Sequence, residues 1–572
     1  MLTAGAAAAL LPAVPAAAFA DSKADVVFTN GYVYTVDPHD SVHQAIAITG
    51  GRITYVGTSA GAKAHVGKHT KVIDLHGKML MPGLHDGHTH PMDGGQGLLG
   101  CDLNYAPLTV KQIQARTRSY AARNPKGWIH VTHWYVQAVR PAGTKLTRAD
   151  LDAVSTERPI IMESTDGHTT LANTKALHLA KITAHTKNPP DGTIERDKRG
   201  EPTGVLQDGA QSLVRAAIPA PTAADDVKFA RTALAALARQ GVTTIMDAVA
   251  PESTMRAFTT LKERGQLTAR VHLAPPIDVS AKAPIETVTR LRERYHGGDI
   301  RVRPGVAVHN VKLFMDGVLQ YPAQTAGLLK PYLVHGHPGK KTGAQYWNAD
   351  KLDDIVGQIA EAGFDPHVHA IGDRSVRLAL DAFAALREAG DTTTRPTIAH
   401  AELVDPADIP RFGELDVVAS MGFHWAKPAP DSVESVKPYI GDKRWANYEP
   451  EGDIRRHGGK VSLGSDWPVD PLDEWTAIKT VITRTAALSS PYHKLGAMTP
   501  HQRLSRAAAL RAATYNGAYQ LRQEEHTGSL EVGKLADLIV LDRNVMKVPG
   551  ERIAGTRVLL TMVGGKVVYG GL

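Results

Sequence analysis

"MPGLHDGHTHP" spans residues 81–91 and sets the question for the whole chain. An apolar run reaches Pro82-Gly83, and His88 and His90 follow with one residue between them. Alternate residues of a strand share a face, so both imidazoles would point the same way and could hold a metal ion. With 26 histidines in 572 residues, roughly one H-x-H is expected by chance. The chain has three: His88/His90, His335/His337 and His367/His369. The motif therefore carries weight only if other ligands accompany it.

The surroundings bound the answer. A chain of 572 residues exceeds one small core and suits a large enzyme domain with a smaller companion. Apolar residues make up 43% and charged residues 22%, an ordinary globular balance. The net charge of +7 is mild, and lysines and arginines are scattered among acids with no basic stripe, which argues against nucleic-acid binding. No internal apolar run approaches the ~20 residues of a membrane span. The single Cys101 excludes an internal disulfide and a cysteine-based metal cage.

Residues 1–20, "MLTAGAAAALLPAVPAAAFA", read as an apolar core followed by a small-x-small cleavage site, without the usual basic start. The reading is a signal segment and export, extracellular or to the cell envelope; a cytoplasmic protein follows if the segment is instead an Ala-rich tail.

Residues 21–80 read as short strands, with turn signals at Asn30-Gly31 and Gly50-Gly51. Residues 521–572 have the same texture, with Gly564-Gly565 between strands. The expectation is one small β-sandwich built from both chain ends. Between them, over 81–520, apolar strand-like runs alternate with amphipathic helices such as "AADDVKFARTALAALARQG" (223–241), which favours an α/β fold, a TIM-like (β/α)8 barrel. Nine runs compete for eight places, including "RPIIMES" (158–164), and the early ones are the hardest to place.

Functional residues of a parallel barrel lie at the C-terminal ends of its strands. His88, His90, Lys312, His369, His400 and Asp466 all fall near such ends. Each has an ordinary alternative. His400 could be a satisfied core residue, Lys312 could pair with Asp316 at the surface, and Asp466 could cap the next helix. Taken together, a polar residue recurring at the same end of successive apolar strands is costly unless something is coordinated there.

The order and spacing of "PGLHDGHTH" (82–90), "DGHTTLANTKAL" (166–177), "GEPTGVLQDGA" (200–210), "KLFMDGVLQ" (312–320), "HAIGDR" (369–374), "GSDWPV" (464–469) and "GSLEVGKLADLIVLD" (528–542) resemble the amidohydrolase superfamily, in the branch that contains N-substituted formamide deformylase. The resemblance implies a barrel with a composite sandwich and one or two divalent metals; histidine and carboxylate donors suit zinc first, with iron, manganese and nickel as alternatives. It places His88, His90, His369, His400 and Asp466 at ligand positions. Lys312 matches a lysine that bridges two metals after carboxylation by carbon dioxide. His369, which abuts "AIGD", is preferred over His367.

The chemistry then expected is attack on a carbonyl by a water that the cation acidifies toward a pKa of ~7. Asp466 would move the proton to the leaving nitrogen. His168 is a candidate for substrate binding or oxyanion stabilisation, with a loop histidine bonded to backbone as its alternative. Residues 320–350 have little regular pattern and suit a lid, and His335/His337 within them read as solvated loop. The leading expectation is hydrolysis of an amide, formamide or cyclic amide in a small-molecule substrate. The runner-up is an ester, lactone or carbamate hydrolase, and a barrel without catalysis is a third class. Homo-oligomerisation is compatible with the sequence.

Overall fold

The structure is a computed structural model that describes residues 23–572 except 142, 166, 168, 190 and 191. The proposed signal segment and His168 lie outside the described residues.

Eight parallel strand positions carry the fold, arranged in two sheets. Leu84–Thr89, Val242–Asp247, Arg270–Leu273 and the short Val306–Ala307 pair in parallel in the first. Asn310–Phe314, which continues the course of Val306–Ala307, opens the second and pairs with Asp365–Ala370, after which Thr397–His400, Val418–Met421 and Lys460–Leu463 follow, each parallel to the one before. Hydrogen bonds join the sheets at both edges. The Lys312 N–H donates to the Pro275 carbonyl (2.9 Å), and the Asp466 N–H donates to the His88 carbonyl (2.8 Å). Helices between the strands bury one face each. In Ala223–Gln240, Thr222 caps the first turn, Ala230, Ala233, Leu234 and Leu237 are buried, and Gly241 ends the helix at φ 89°. A left-handed residue at that point is cheap only for glycine.

The ninth run has a different home. Ile160–Glu163 belongs to a separate six-stranded sheet with Gly192–Arg196, Pro202–Asp208, Thr169–Ala172, Ile129–Thr132 and Cys101–Asp102. It pairs in parallel with Ile129–Thr132 but antiparallel with Thr169–Ala172. An apolar run buried on both faces looks the same in either sheet, so pattern alone could not assign it. This sheet has its own core, including Ile129, Val131, Ile160, Met162 and Leu171.

The two chain ends meet. Met79–Pro82 pairs antiparallel with Leu538–Leu541, and that six-stranded sheet also holds Tyr32–Tyr34, Val42–His43, Val558–Val563 and Lys566–Gly570. A four-stranded sheet, Arg52–Gly57, Ala45–Thr49, Val26–Thr29 and Lys71–Asp74, shares a core with it through Phe28, Ile46, Leu80, Leu538 and Val540. Gly50-Gly51 and Gly564-Gly565 make hairpin turns as expected. Asn30-Gly31 does not. Its flanking strands lie in different sheets, and the turn carries the chain from one to the other. Gly31 is needed there because a Cβ would meet Leu75 Cδ1 at 2.3 Å.

A buried ion pair fastens the parallel strands to the C-terminal sheet. Arg270 Nε and Nη2 donate to Asp537 at 2.7 and 3.0 Å, and both side chains are fully buried. The Gly564 N–H donates to the same carboxylate (2.7 Å). Asp537→Ala is expected to cost ~3–5 kcal/mol, since it strands a buried guanidinium, while Arg270→Met/Asp537→Leu should cost much less than the single change. Urea unfolding of the three proteins checks this. A loss under ~1 kcal/mol in Asp537→Ala would show that the pair does not fasten the sheets.

Candidate metal centre

The ends of the parallel strands bring His88, His90 and Asp466 together. One ligand atom of each lies within 4.8 Å of the others. Asp466 Oδ1 is 3.3 Å from His88 Nε2 and 3.0 Å from His90 Nε2. Yet this buried oxygen receives no hydrogen bond of acceptable geometry among the described residues. Two ring nitrogens and a carboxylate oxygen that crowd one point are the donor arrangement a divalent cation fills. The other expected residues surround them. The His400 ring is 4.7 Å from that of His88 and 4.5 Å from that of His369. Lys312 is buried and contributes to the electrostatics of both His88 and Asp466.

Local sequence explains the convergence. The exit of Lys460–Leu463 lies directly on the His88 strand because Gly464 has no side chain; a Cβ there would stand 2.7 Å from His88 Cβ. Asp86 then pins the exit: it accepts from the Ser465 N–H (2.9 Å) and the Ser465 hydroxyl (2.5 Å). Asp466 sits at φ 53° and His400 at φ 75°, left-handed conformations that cost of order 1–3 kcal/mol and persist where surroundings over-determine them. Asp473, not Asp466, caps the following helix, accepting from the Thr476 N–H (3.0 Å). Asp316 is buried away from the surface and accepts from the backbone N–H groups of Gly327 (2.8 Å), Ile371 (3.1 Å) and Gly372 (3.0 Å). It thereby ties residue 327 of the expected lid to the loop after His369. His369 Nε2 donates to the Gly317 carbonyl (3.1 Å).

Burial drives the electrostatics. It holds the His88 and His400 imidazoles well below their ordinary pKa, and lowers His369 to about 3. It lowers the Lys312 amine to about 7. The three imidazoles are therefore neutral lone-pair donors near neutrality, and the Lys312 amine is neutral in part. Burial pushes Asp466 upward, but hydrogen bonding with His90 and the electrostatic influence of the surrounding His400, His90 and Lys312 side chains outweigh it and hold the carboxyl below its usual range. Burial lowers His90, and the contact with Asp466 more than offsets that.

The sequence reading missed Asp86 and Asp247 here and set His367 second to His369. Asp86 precedes His88 and His90 with the same i, i+2 spacing, a signal that was present. Asp247 ends its strand next in space to His90 and is raised by burial to about 7. His367 lies against His88. His335 and His337 flank an exposed hairpin turn, as their loop reading implied. Aromatic rings approach the cluster from two sides: Trp425 stacks on His400 at 5.6 Å, and the Phe314 ring is 5.4 Å from His369. Trp425 Nε1 donates to Asp470 (2.6 Å), as does the Tyr135 hydroxyl (3.2 Å), so the separate six-stranded sheet is joined to this rim.

An α/β scaffold with histidines and an aspartate converging at the ends of parallel strands defines the class of metal-dependent hydrolases. Residues 71–569 match the model of the Amidohydrolase family, and the chain belongs to that family. It is a metal-dependent hydrolase acting on C–N bonds other than peptide bonds. The chain is 30% identical to Protein LONG AFTER FAR-RED 3 of Arabidopsis thaliana over 96% of its own length and 92% of the relative's. It is 26% identical to N-substituted formamide deformylase of Arthrobacter pascens, covering 95% and 98%. Among solved structures it resembles an uncharacterized metal-dependent hydrolase of Pyrococcus horikoshii, with a TM-score of 0.72, 26% identity, and coverage of 92% and 99%. Among the described residues no helix is long and apolar enough to cross a membrane.

His90→Ala and Asp466→Ala are each expected to weaken divalent-metal binding by more than about tenfold, because each removes a donor from the point of convergence. His335→Ala should leave it unchanged. Metal analysis of the purified proteins by mass spectrometry decides; equal metal in wild type and His90→Ala would remove His90 from the centre.

Proposed function

We propose that the protein hydrolyses a small-molecule amide, formamide or cyclic amide at a zinc centre built on His88, His90, His369, His400 and Asp466. The observation that carries this reading is the convergence of His88 Nε2, His90 Nε2 and the otherwise unbonded Asp466 Oδ1. A divalent cation at such a site supplies an acidified water and a polarised carbonyl. The other oxygen of the Asp466 carboxylate, Oδ2, would take a proton from the attacking water and return it to the leaving nitrogen. Trp425 and Phe314 lie against His400 and His369 beside the centre. Lys312, whose amine is lowered to about 7, has the neutral nucleophile that carboxylation by carbon dioxide requires, which supports a second ligand set around a bridging carbamate.

The same proposal covers the architecture. The edge hydrogen bonds at Lys312 and Asp466 support reading the eight parallel strands as one closed barrel over 81–520. The common core of the two terminal sheets supports a sandwich of 21–80 with 521–572. Export rests on the composition of residues 1–20 alone. An ester, lactone or carbamate hydrolase would use the same carbonyl chemistry with a different leaving group, and the relative that deformylates N-substituted formamides favours nitrogen.

The test is a screen of N-acyl amines, formamides, hydantoins and lactones, followed by Asp466→Asn on the best substrate. The nearly isosteric change should keep the fold and lower kcat by ~10²–10⁴. Activity within about threefold of wild type at full metal content, only ~0.65 kcal/mol, would take Asp466 out of the proton transfer and turn attention to His168.

A further inference from the structure

His367 is fully buried on the strand Asp365–Ala370, between Lys312 and Thr397 in the same row of the sheet. Nothing in the chemistry above uses it. Its Nε2 is 2.7 Å from His88 Nδ1, with the rings 4.9 Å apart and tilted by 41°. Its other nitrogen, Nδ1, is buried without a hydrogen-bond partner among the described residues.

Two ring nitrogens at this distance must differ in protonation: one carries hydrogen and the other offers a lone pair. If His367 Nε2 donates, the single proton of a neutral His88 sits on its Nε2, the atom that faces Asp466, and no lone pair is left there for a cation. If His88 Nδ1 donates, its Nε2 is open. The contact is also too short for both nitrogens to bind one ion. Two nitrogens each at ~2.0–2.1 Å from a tetrahedral zinc lie about 3.3 Å apart.

We propose that His367 is a positioning residue: its Nε2 accepts the Nδ1–H of His88, fixing the tautomer and ring angle that turn His88 Nε2 toward the metal. The proposal rests on the reading of His88 as a ligand. A carboxylate or carbonyl commonly fills this supporting role. Here a neutral imidazole does, and it adds no charge beneath the centre.

The test uses the full-length protein stripped of metal and titrated with zinc against a chromogenic chelator. His367→Phe keeps the ring volume and removes the acceptor; zinc affinity should fall about 10–100-fold. His367→Gln restores an acceptor oxygen and should recover most of the loss. A purely structural role would instead lower the melting temperature of both metal-free variants without separating them in zinc affinity. His367→Phe binding zinc within threefold of wild type overturns the proposal. His88→Ala in the same assay separates the two levels: undiminished zinc binding there removes the ligand reading and the proposal with it, whereas a loss there beside normal binding in His367→Phe removes the positioning role alone. Should His367→Phe fail to fold, neutron diffraction from the metal-free wild type reads the same point. Deuterium on His88 Nδ1 supports the proposal, and deuterium on His367 Nε2 overturns it.

Discussion

Everything at the centre depends on the seam between the first and last parallel strands. The Asp466 N–H donates to the His88 carbonyl and the His90 N–H donates to the Trp467 carbonyl, each at 2.8 Å. Two short backbone bonds thus set the distance between the histidine pair and the aspartate. Gly464 makes the approach possible, and Asp86 holds the turn through Ser465. Backbone bonds in a buried strand are stiff because breaking one leaves a donor and an acceptor without water. The side chains inherit that stiffness, which is what a site needing sub-ångström placement requires.

The second theme is charge economy in a buried space. Five imidazoles and one amine cluster with Asp466 at the strand ends, and burial strips the protons from most of them. A set of neutral donors with one anion is stable without strong mutual repulsion, and it gains most from a cation. Folding is therefore coupled to proton release: the unfolded chain would hold His88, His367, His369 and His400 protonated through mildly acidic pH, and the folded chain would not.

Much of this was legible. Histidine spacing, the recurrence of polar residues at strand ends and the paired glycines of the hairpins depend on local rules, and the structure places His88, His90, Lys312, His369, His400 and Asp466 in one neighbourhood. What failed to show depends on partners distant in sequence. The run at 158–164 is apolar in the same way as a barrel strand, and only its antiparallel neighbour at 169–172 assigns it elsewhere. Asn30-Gly31 has hairpin chemistry, yet Leu75 packs where a hairpin would not bring it. His367 looked like the spare member of a pair because its contact with His88 spans 279 residues.

The pairing of Met79–Pro82 with Leu538–Leu541 has a consequence for biosynthesis. The strand that leads straight into His88 leaves the ribosome long before its partner. At ~5–20 residues per second the wait lasts tens of seconds. During that time Met79, Leu80 and Met81 present an apolar, unpaired edge, the kind of surface on which nascent chains stick to one another. The sheet closes only when Leu538–Leu541 arrives, so holdase chaperones have their natural target in this segment, and a ribosome that stalls before then leaves that edge open.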